Sequence, residues 1–99
     1  MQVEKLTISE LLLVTPKKHG DARGFFSETF RADILAAHGV GASFVQDNHV
    51  RSPQRGVLRG LHYAQGKLVR CTRGFILDVA VDIRVGSLTF RRHVAVGER

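Results

Sequence analysis

Glycine residues divide the second half of this chain into segments too short for long helices. Gly74, Gly86 and the segment at residues 64–66 act as turn signals. They separate short strand candidates at residues 43–45, 56–63, 67–73, 75–82 and 88–96. Closely spaced strands with glycine turns are typical of an antiparallel sandwich or barrel. The sequence therefore predicts one all-β domain over residues 1–99.

The first half adds two strand candidates and one helix. An apolar run at residues 11–15 stops at Pro16 and predicts a first strand. Residues 19–24 are of types common in turns, and residues 25–30 predict a second strand. The only helical pattern lies at residues 31–38, where Ile34, Leu35 and His38 share a face and Gly39 suits a C-terminal cap. We expect one short helix in an otherwise β structure.

Alternation in the candidate strand at residues 75–82 predicts which of its faces is buried. Phe75, Leu77, Val79 and Val81 recur at every second position and are expected to face the core. The strand also carries two carboxylates, Asp78 and Asp82, which fall on the opposite face.

Composition excludes some classes of protein and leaves others open. The chain is 43% hydrophobic, too apolar for disorder, and has neither a bilayer-length apolar segment nor a signal-peptide pattern. Its single cysteine, Cys71, cannot form an internal disulfide, so a reducing, cytoplasmic location is expected. The net charge of +6 indicates either dispersed surface charge or an anionic partner: nucleic acid, an acidic membrane or a phosphorylated small molecule.

Three ordered segments carry a family resemblance. They lie at residues 21–29, 44–49 and 56–70, and the last contains Arg59-Gly60-Leu61-His62-Tyr63 followed by Gln65-Gly66-Lys67. Together with the candidate strand that contains Asp78 and Asp82, they resemble the dTDP-4-dehydrorhamnose 3,5-epimerase family. The resemblance covers residues 11–96. It implies an antiparallel cupin or jelly-roll barrel or half-barrel, a homodimer, and no metal or organic cofactor.

The reaction implied by this resemblance sets clear chemical demands. Protons leave the two carbons that flank a ketone on a nucleotide-linked hexose and return from the opposite face. Histidine is the natural base because its side chain titrates near neutral pH. A cation must stabilise the enolate oxygen, and arginine suits the diphosphate because it binds phosphate bidentately.

The resemblance also implies roles for individual residues. His62 matches the catalytic base, and Lys67 matches the lysine near the keto oxygen. Six further positions match residues that bind the phosphate, nucleotide or sugar: Arg23, Glu28, Gln46, Asp47, Asn48 and Arg59. Strict alternation puts Arg59 and His62 on opposite faces of a strand, unless Gly60 marks a bulge.

The chain departs from the family pattern in two places. Only three residues separate Tyr63 from Lys67, which predicts a tight hairpin between the strand candidates on either side. The family also continues into further strands with an orienting carboxylate, another histidine and an acid tyrosine, and Tyr63 does not match that tyrosine. We therefore expect a truncated, N-terminal portion of the domain that carries the base half of the site.

Other functions remain open at this stage. One is a non-catalytic cupin-like module that binds a nucleotide sugar or only dimerises. Another is a small basic β-barrel for nucleic acid, disfavoured because one tyrosine and no tryptophan leave few stacking platforms. A metal-dependent cupin is disfavoured because the residue two positions after His62 is Ala64 rather than a second histidine.

Overall fold

The structure, a computed structural model, describes residues 1–63 and 65–99. Its elements in chain order are β1 (Gln2–Lys5), β2 (Leu12–Thr15), β3 (Lys18–Asp21), β4 (Gly24–Ser27), α1 (Ala32–Ala37), β5 (Ile76–Val81) and β6 (His93–Glu98). The strands of this described part pair as three antiparallel hairpins, β1–β2, β3–β4 and β5–β6, without closing a barrel. The predicted all-β class with one short helix is confirmed.

The first hairpin forms where Pro16 ends an apolar run. Val3 lies opposite Val14 in the β1–β2 register. The connection is closed by a hydrogen bond from the Leu6 N–H to the Leu11 carbonyl at 2.9 Å. Within it Ile8 is buried, with 4% of its surface exposed. The strand predicted at residues 11–15 is confirmed as β2.

Helix α1 ends as its sequence predicts. Gly39 has φ +92°, a left-handed conformation that glycine adopts without a Cβ penalty. The Gly39 N–H donates to the Ala36 carbonyl at 3.1 Å and the Val40 N–H to the Leu35 carbonyl at 2.9 Å. This pair of bonds is a Schellman motif, and it satisfies carbonyls that the end of a helix leaves without partners. Leu35 is buried, so α1 turns one apolar position inward.

Three strand predictions in the middle of the chain are wrong. The segments at residues 43–45, 56–63 and 67–73 contain no strand among the residues described, and the hairpin expected around residues 63–67 is not formed. Ala64, part of the turn signal there, lies outside the described residues. Strand pairing requires a partner backbone as well as an apolar pattern, and the described chain presents none to these segments. Leu58 and Leu61 are accordingly more than nine-tenths exposed.

The β5–β6 hairpin exposes the face that was expected to be buried. Phe75, Leu77, Val79 and Val81 are all exposed, whereas Asp82 on the opposite face has only 6% of its surface exposed. The alternation correctly assigned these residues to two faces, but the prediction that the apolar face is buried was wrong. On that opposite face Asp82 alone is buried, while Ile76 and Asp78 are exposed, so burial is confined to the end of β5.

In β6 alternate residues, among them Val94 and Val96, are half-buried. The region at residues 88–92, predicted as the start of a strand, forms turns instead, and β6 begins at His93. Among residues 1–63 and 65–99 no helix has both the length and the apolar character needed to cross a membrane.

Candidate functional site

Arg23 occupies the two-residue turn between β3 and β4 and is held there by Asp21. One carboxylate oxygen of Asp21 accepts the Arg23 backbone N–H at 2.8 Å, and the other accepts Arg23 Nη2 at 2.7 Å. Hydrogen bonding to this guanidinium lowers the pKa of the Asp21 carboxyl below its ordinary value. The Arg23 side chain remains 90% exposed, so it is oriented without being covered.

A shallow depression of about 260 Å³ lies beside this turn. Arg23 and Asp21 line it together with His19, Phe25 and Phe26. His19 pairs with Phe26 across the β3–β4 register, which places an imidazole and an aromatic ring side by side. Lys18 Nζ lies 4.6 Å from the centre of the Phe25 ring. His19 had no predicted role, because no motif distinguishes it in the sequence.

Glu28 lies between β4 and α1 and faces a neighbouring cation. Its Oε1 is 3.6 Å from Arg31 Nε. Arg31 also forms an ion pair with Asp33, its Nε donating to Asp33 Oδ1 at 3.0 Å. The Arg31 guanidinium lowers the pKa of the Asp33 carboxyl. Glu28 thus has a structural partner and retains an exposed carboxylate.

The second predicted segment is held by one local contact. Gln46 Nε2 donates to Asn48 Oδ1 at 3.3 Å, so these two side chains lie on one side of the chain. Asp47, between them, is exposed. The third segment is connected to the residues before it by Arg59 Nε, which donates to Ser52 Oγ at 2.9 Å.

His62 and Lys67 lie in the same exposed segment as Arg59. Within the described residues no hydrogen bond or ion pair joins His62 to Lys67, Arg59 or Arg23. The contacts of the predicted site are therefore local: Gln46 with Asn48, Arg59 with Ser52, and Arg23 with Asp21. The segment from residue 43 to 73 forms no strand that would fix His62 relative to Lys67.

The whole net charge of the chain lies in one stretch around these residues. Residues 48–77 contain no Asp or Glu and six cations: Arg51, Arg55, Arg59, Lys67, Arg70 and Arg73. The remaining residues carry nine basic and nine acidic side chains, which balance. The basic residues recur singly, but the absence of acidic residues among them makes residues 48–77 a continuous cationic segment. Such a segment favours an anionic ligand.

An ionic network around the buried side chain of Asp82, missed by the sequence analysis, lies at the end of β5. Asp82 accepts Arg84 Nε at 2.9 Å and Arg84 Nη2 at 2.8 Å. Ser87 Oγ donates to Asp82 Oδ2 at 2.7 Å, and Thr89 Oγ1 donates to the same oxygen. These bonds, with that from Arg84 the largest cause, hold the pKa of Asp82 far below its ordinary value.

Arg84 extends this network to the N-terminal hairpin. Its Nη1 donates to Glu10 Oε1 at 3.1 Å, which joins positions 74 residues apart in sequence. One signal for this network was present in the sequence: the alternation in β5 predicted that Asp82 lies on the face opposite the apolar residues. Among the residues described, no group of three or more His, Cys, Asp or Glu side chains could hold a metal ion.

Fold and site together define a class: an antiparallel β domain with a cationic segment suited to an anionic ligand. Residues 5–97 match the family model described as dTDP-4-dehydrorhamnose 3,5-epimerase. Curated relatives with that name include proteins from Pseudomonas aeruginosa (53% identical over 104 residues, 100% of this chain and 56% of the relative) and Sinorhizobium fredii (49% over 100 residues, 96% and 51%). A Shigella flexneri relative is 52% identical over 102 residues, covering 97% of this chain and 56% of its own length.

The chain belongs to the dTDP-4-dehydrorhamnose 3,5-epimerase family, because the match extends over nearly all of its residues. It spans about half the length of the curated relatives that it matches.

Proposed function

We propose that this chain supplies the base half of a dTDP-4-dehydrorhamnose 3,5-epimerase site. One observation carries the proposal: the family match at residues 5–97 encloses the 30-residue cationic segment that contains His62, Lys67 and Arg59. The proposed substrate is a dTDP-linked 4-keto-6-deoxyhexose. Its diphosphate provides the negative charge that a segment rich in arginine attracts.

The proposed chemical step is deprotonation next to the ketone. The C–H bond breaks as the proton moves to the neutral imidazole of His62. Its electron pair forms a carbon–carbon double bond while the carbonyl π electrons move to the keto oxygen. Lys67 stabilises the resulting enolate oxygen by its positive charge. A proton donor outside this base half then protonates the same carbon from the opposite face, while the electron pair on the enolate oxygen re-forms the carbonyl, and the carbon is inverted.

The remaining predicted residues bind the substrate in this proposal. Arg59 and Arg23 contact the diphosphate, because guanidinium groups match phosphate oxygens in pairs. Glu28, Gln46, Asp47 and Asn48 contact the nucleotide and sugar. The hydrogen bond from Gln46 to Asn48 supports a common role for those two side chains. No metal ion or organic cofactor takes part in the proposed reaction.

The proposed assembly is a homodimer, and the proposed compartment is the cytoplasm. Among the strands described, β6 pairs with β5 alone. Its other backbone edge is therefore open to pairing with a second chain. Cys71 is a free thiol, which suits a reducing compartment.

The test is exchange of substrate hydrogens with deuterated water. The chain is incubated with the dTDP-linked 4-keto sugar, and deuterium at the two carbons beside the ketone is followed by NMR. His62→Ala should slow this exchange by about 100-fold or more, since a general base contributes on that order. His49→Ala, in the same cationic segment, should leave it unchanged. Equal exchange in the wild-type chain and His62→Ala would refute the role proposed for the base.

A further inference from the structure

His19 lies beside Arg23 on one face of the β3–β4 hairpin. Alternation along β3 puts His19 and Asp21 on this face, and the register places Phe26 opposite His19. Together with Arg23 in the turn, these residues line the shallow depression of about 260 Å³. We call the four residues the β3 face. Because His19 is exposed, its imidazole is accessible to a ligand that binds Arg23.

The positive charge of Arg23 is balanced within the β3 face. Asp21 Oδ2 accepts Arg23 Nη2 at 2.7 Å and Arg23 Nε at 3.3 Å, so one edge of the guanidinium is occupied. Among the described residues Arg23 Nη1 has no hydrogen-bond partner, and this edge is left for an anion. The ion pair is neutral as a whole, and a phosphate that reaches Arg23 is repelled by the Asp21 carboxylate. Strong attraction of a phosphate therefore requires a second cation on this face.

His19 is the residue that can supply this cation. Lys18 precedes it, but alternation places Lys18 on the opposite face, where its Nζ lies 4.6 Å from the centre of the Phe25 ring. Within the described part of the chain β3 packs against β4 and no other helix or strand, and β4 has no ionisable side chain. The charged side chains of the hairpin, besides the imidazole itself, are thus those of Lys18, Asp21 and Arg23.

We propose that protonation of His19 converts the β3 face from neutral to cationic and makes the diphosphate of a nucleotide sugar bind more tightly at lower pH. A neutral imidazole leaves this face without net charge, whereas an imidazolium adds a positive charge and donates from both ring nitrogens. Phosphate oxygens then contact both Arg23 and His19. The proposal deepens the function proposed above and rests on it for the identity of the ligand.

Calorimetric titration with dTDP-glucose tests this role at about pH 7.5 and about pH 5.5, a range in which imidazoles gain a proton. The diphosphate of this probe is esterified at both ends, so none of its phosphate groups titrates in the range. Wild-type affinity should rise by about threefold to fivefold at the lower pH, since an exposed charge pair contributes on that order. His19→Gln keeps a polar side chain that gains no proton. It should bind as the wild type does at the higher pH and lack this rise.

Lys18→Gln is the matched control, because it removes a cation from the opposite face of the same hairpin. It should change the affinity by less than about twofold at either pH and keep the dependence on pH. Calorimetry in two buffers of different ionisation enthalpy gives a second measurement at about pH 6.5. Binding that tightens as pH falls must take up protons, so the wild-type chain should take up a fraction of a proton, and His19→Gln should take up less.

Equal pH dependence in the wild-type chain and His19→Gln would overturn the proposal. So would equal losses in His19→Gln and Lys18→Gln, or no binding of dTDP-glucose. The deuterium exchange described above tests the catalytic roles separately. Exchange that His62→Ala abolishes, together with unchanged pH dependence in His19→Gln, would refute the role of His19 alone. Binding that depends on His19 and on pH, without any exchange, would refute the proposed chemistry alone.

Discussion

Asp82 and Arg84 form the same contact that Asp21 and Arg23 form, in a different environment. In both pairs the first carboxylate oxygen accepts the backbone N–H two residues later, at 3.0 Å for Asp82 and 2.8 Å for Asp21. In both the second oxygen accepts Nη2 of the arginine, at 2.8 and 2.7 Å. The Asp82 side chain is 2% exposed and that of Asp21 is 51% exposed. This difference makes the two aspartates a natural comparison.

Asp82→Asn should loosen the end of the β5–β6 hairpin. The amide keeps the shape of the carboxylate but cannot accept all the bonds from Arg84, Ser87 and Thr89. The Arg91 N–H donates to the Asp82 carbonyl at 2.8 Å and reports on this region. Its hydrogen exchange should accelerate by about tenfold or more, since bonds to charged groups are the stronger ones.

Asp21→Asn is the control for this change. It alters the same local contact at an exposed turn, so exchange at Arg91 should keep its wild-type rate. If both variants accelerate exchange equally, the Asp82 network has no special role in holding the hairpin.

Acid should release the Asp82 network. The pKa of Asp82 is depressed in the folded chain, so its ionised form is stabilised by folding. That contribution is fully present above the unfolded pKa, about 3.9, and is lost as pH falls below it. Protection of the Arg91 N–H should therefore decline below about pH 4 in the wild-type chain. In Asp82→Asn the same decline should be absent or much weaker, as NMR exchange rates at several pH values would show.

Glu98 should have the opposite pH dependence. Burial, together with the neighbouring Asp78 carboxylate, raises the pKa of Glu98 in the folded chain. Its ionised form is thus disfavoured by folding, and the chain loses stability as pH rises from the unfolded value of about 4.3 through the raised folded value. Glu98→Gln should raise the melting temperature at pH 7, by at most about a few degrees because solvent screens this partly buried carboxylate, and have no effect at pH 3. A gain that is equal at both pH values would mean that charge is not its cause.

Gly97→Ala tests a contact across the β5–β6 hairpin. Alanine in a strand normally stabilises a protein by about 0.5–1 kcal/mol relative to glycine. A Cβ at position 97 would lie 2.9 Å from Phe75 Cζ, so the ring has to move. The gain should therefore be absent in the wild-type background and appear in Phe75→Ala. Urea unfolding of the four chains gives the coupling, and purely additive effects would exclude the contact.

Features of this fold that depend only on neighbouring residues could be predicted from the sequence. Features that depend on a pairing partner elsewhere in the chain could not. Gly39 predicted the end of α1, because glycine adopts the left-handed cap conformation without any contact from a distant part of the chain. Strand β3 was missed because Lys18 to Asp21 lacks apolar alternation and is recognisable only by its pairing with β4. The segments around Leu58 and Leu61 had suitable composition for strands, but no partner for them exists in the described chain.

The site shows the same division. Motif order predicted Arg59, His62 and Lys67 as a group, and charge counting places them in one cationic segment. Sequence could not predict the contacts of Asp82, because its partners Arg84, Ser87 and Thr89 meet only when the loop after β5 folds back. Nor could it predict that Asp82 would be more deeply buried than the apolar residues of β5, because alternation separates two faces without ranking them.

Nucleotide binding gives the most direct test of the cationic segment. If Arg59 and its neighbours bind the diphosphate, the chain should bind dTDP at least about tenfold more tightly than thymidine, because charge-assisted contacts to phosphate supply the difference. Isothermal titration calorimetry measures both affinities. Arg59→Gln should weaken dTDP binding by about tenfold, leave thymidine binding unchanged, and reduce the dependence of dTDP affinity on salt concentration.

Arg92→Gln is the matched control for Arg59→Gln. Arg92 is an exposed arginine outside residues 48–77, so its loss removes the same net charge without touching the cationic segment. It should leave both affinities within about twofold of the wild type, since a distant exposed charge is screened by salt. If Arg92→Gln weakens dTDP binding as much as Arg59→Gln does, total charge rather than position determines affinity. Equal affinity for dTDP and thymidine in the wild-type chain would mean that the proposed site does not bind the diphosphate.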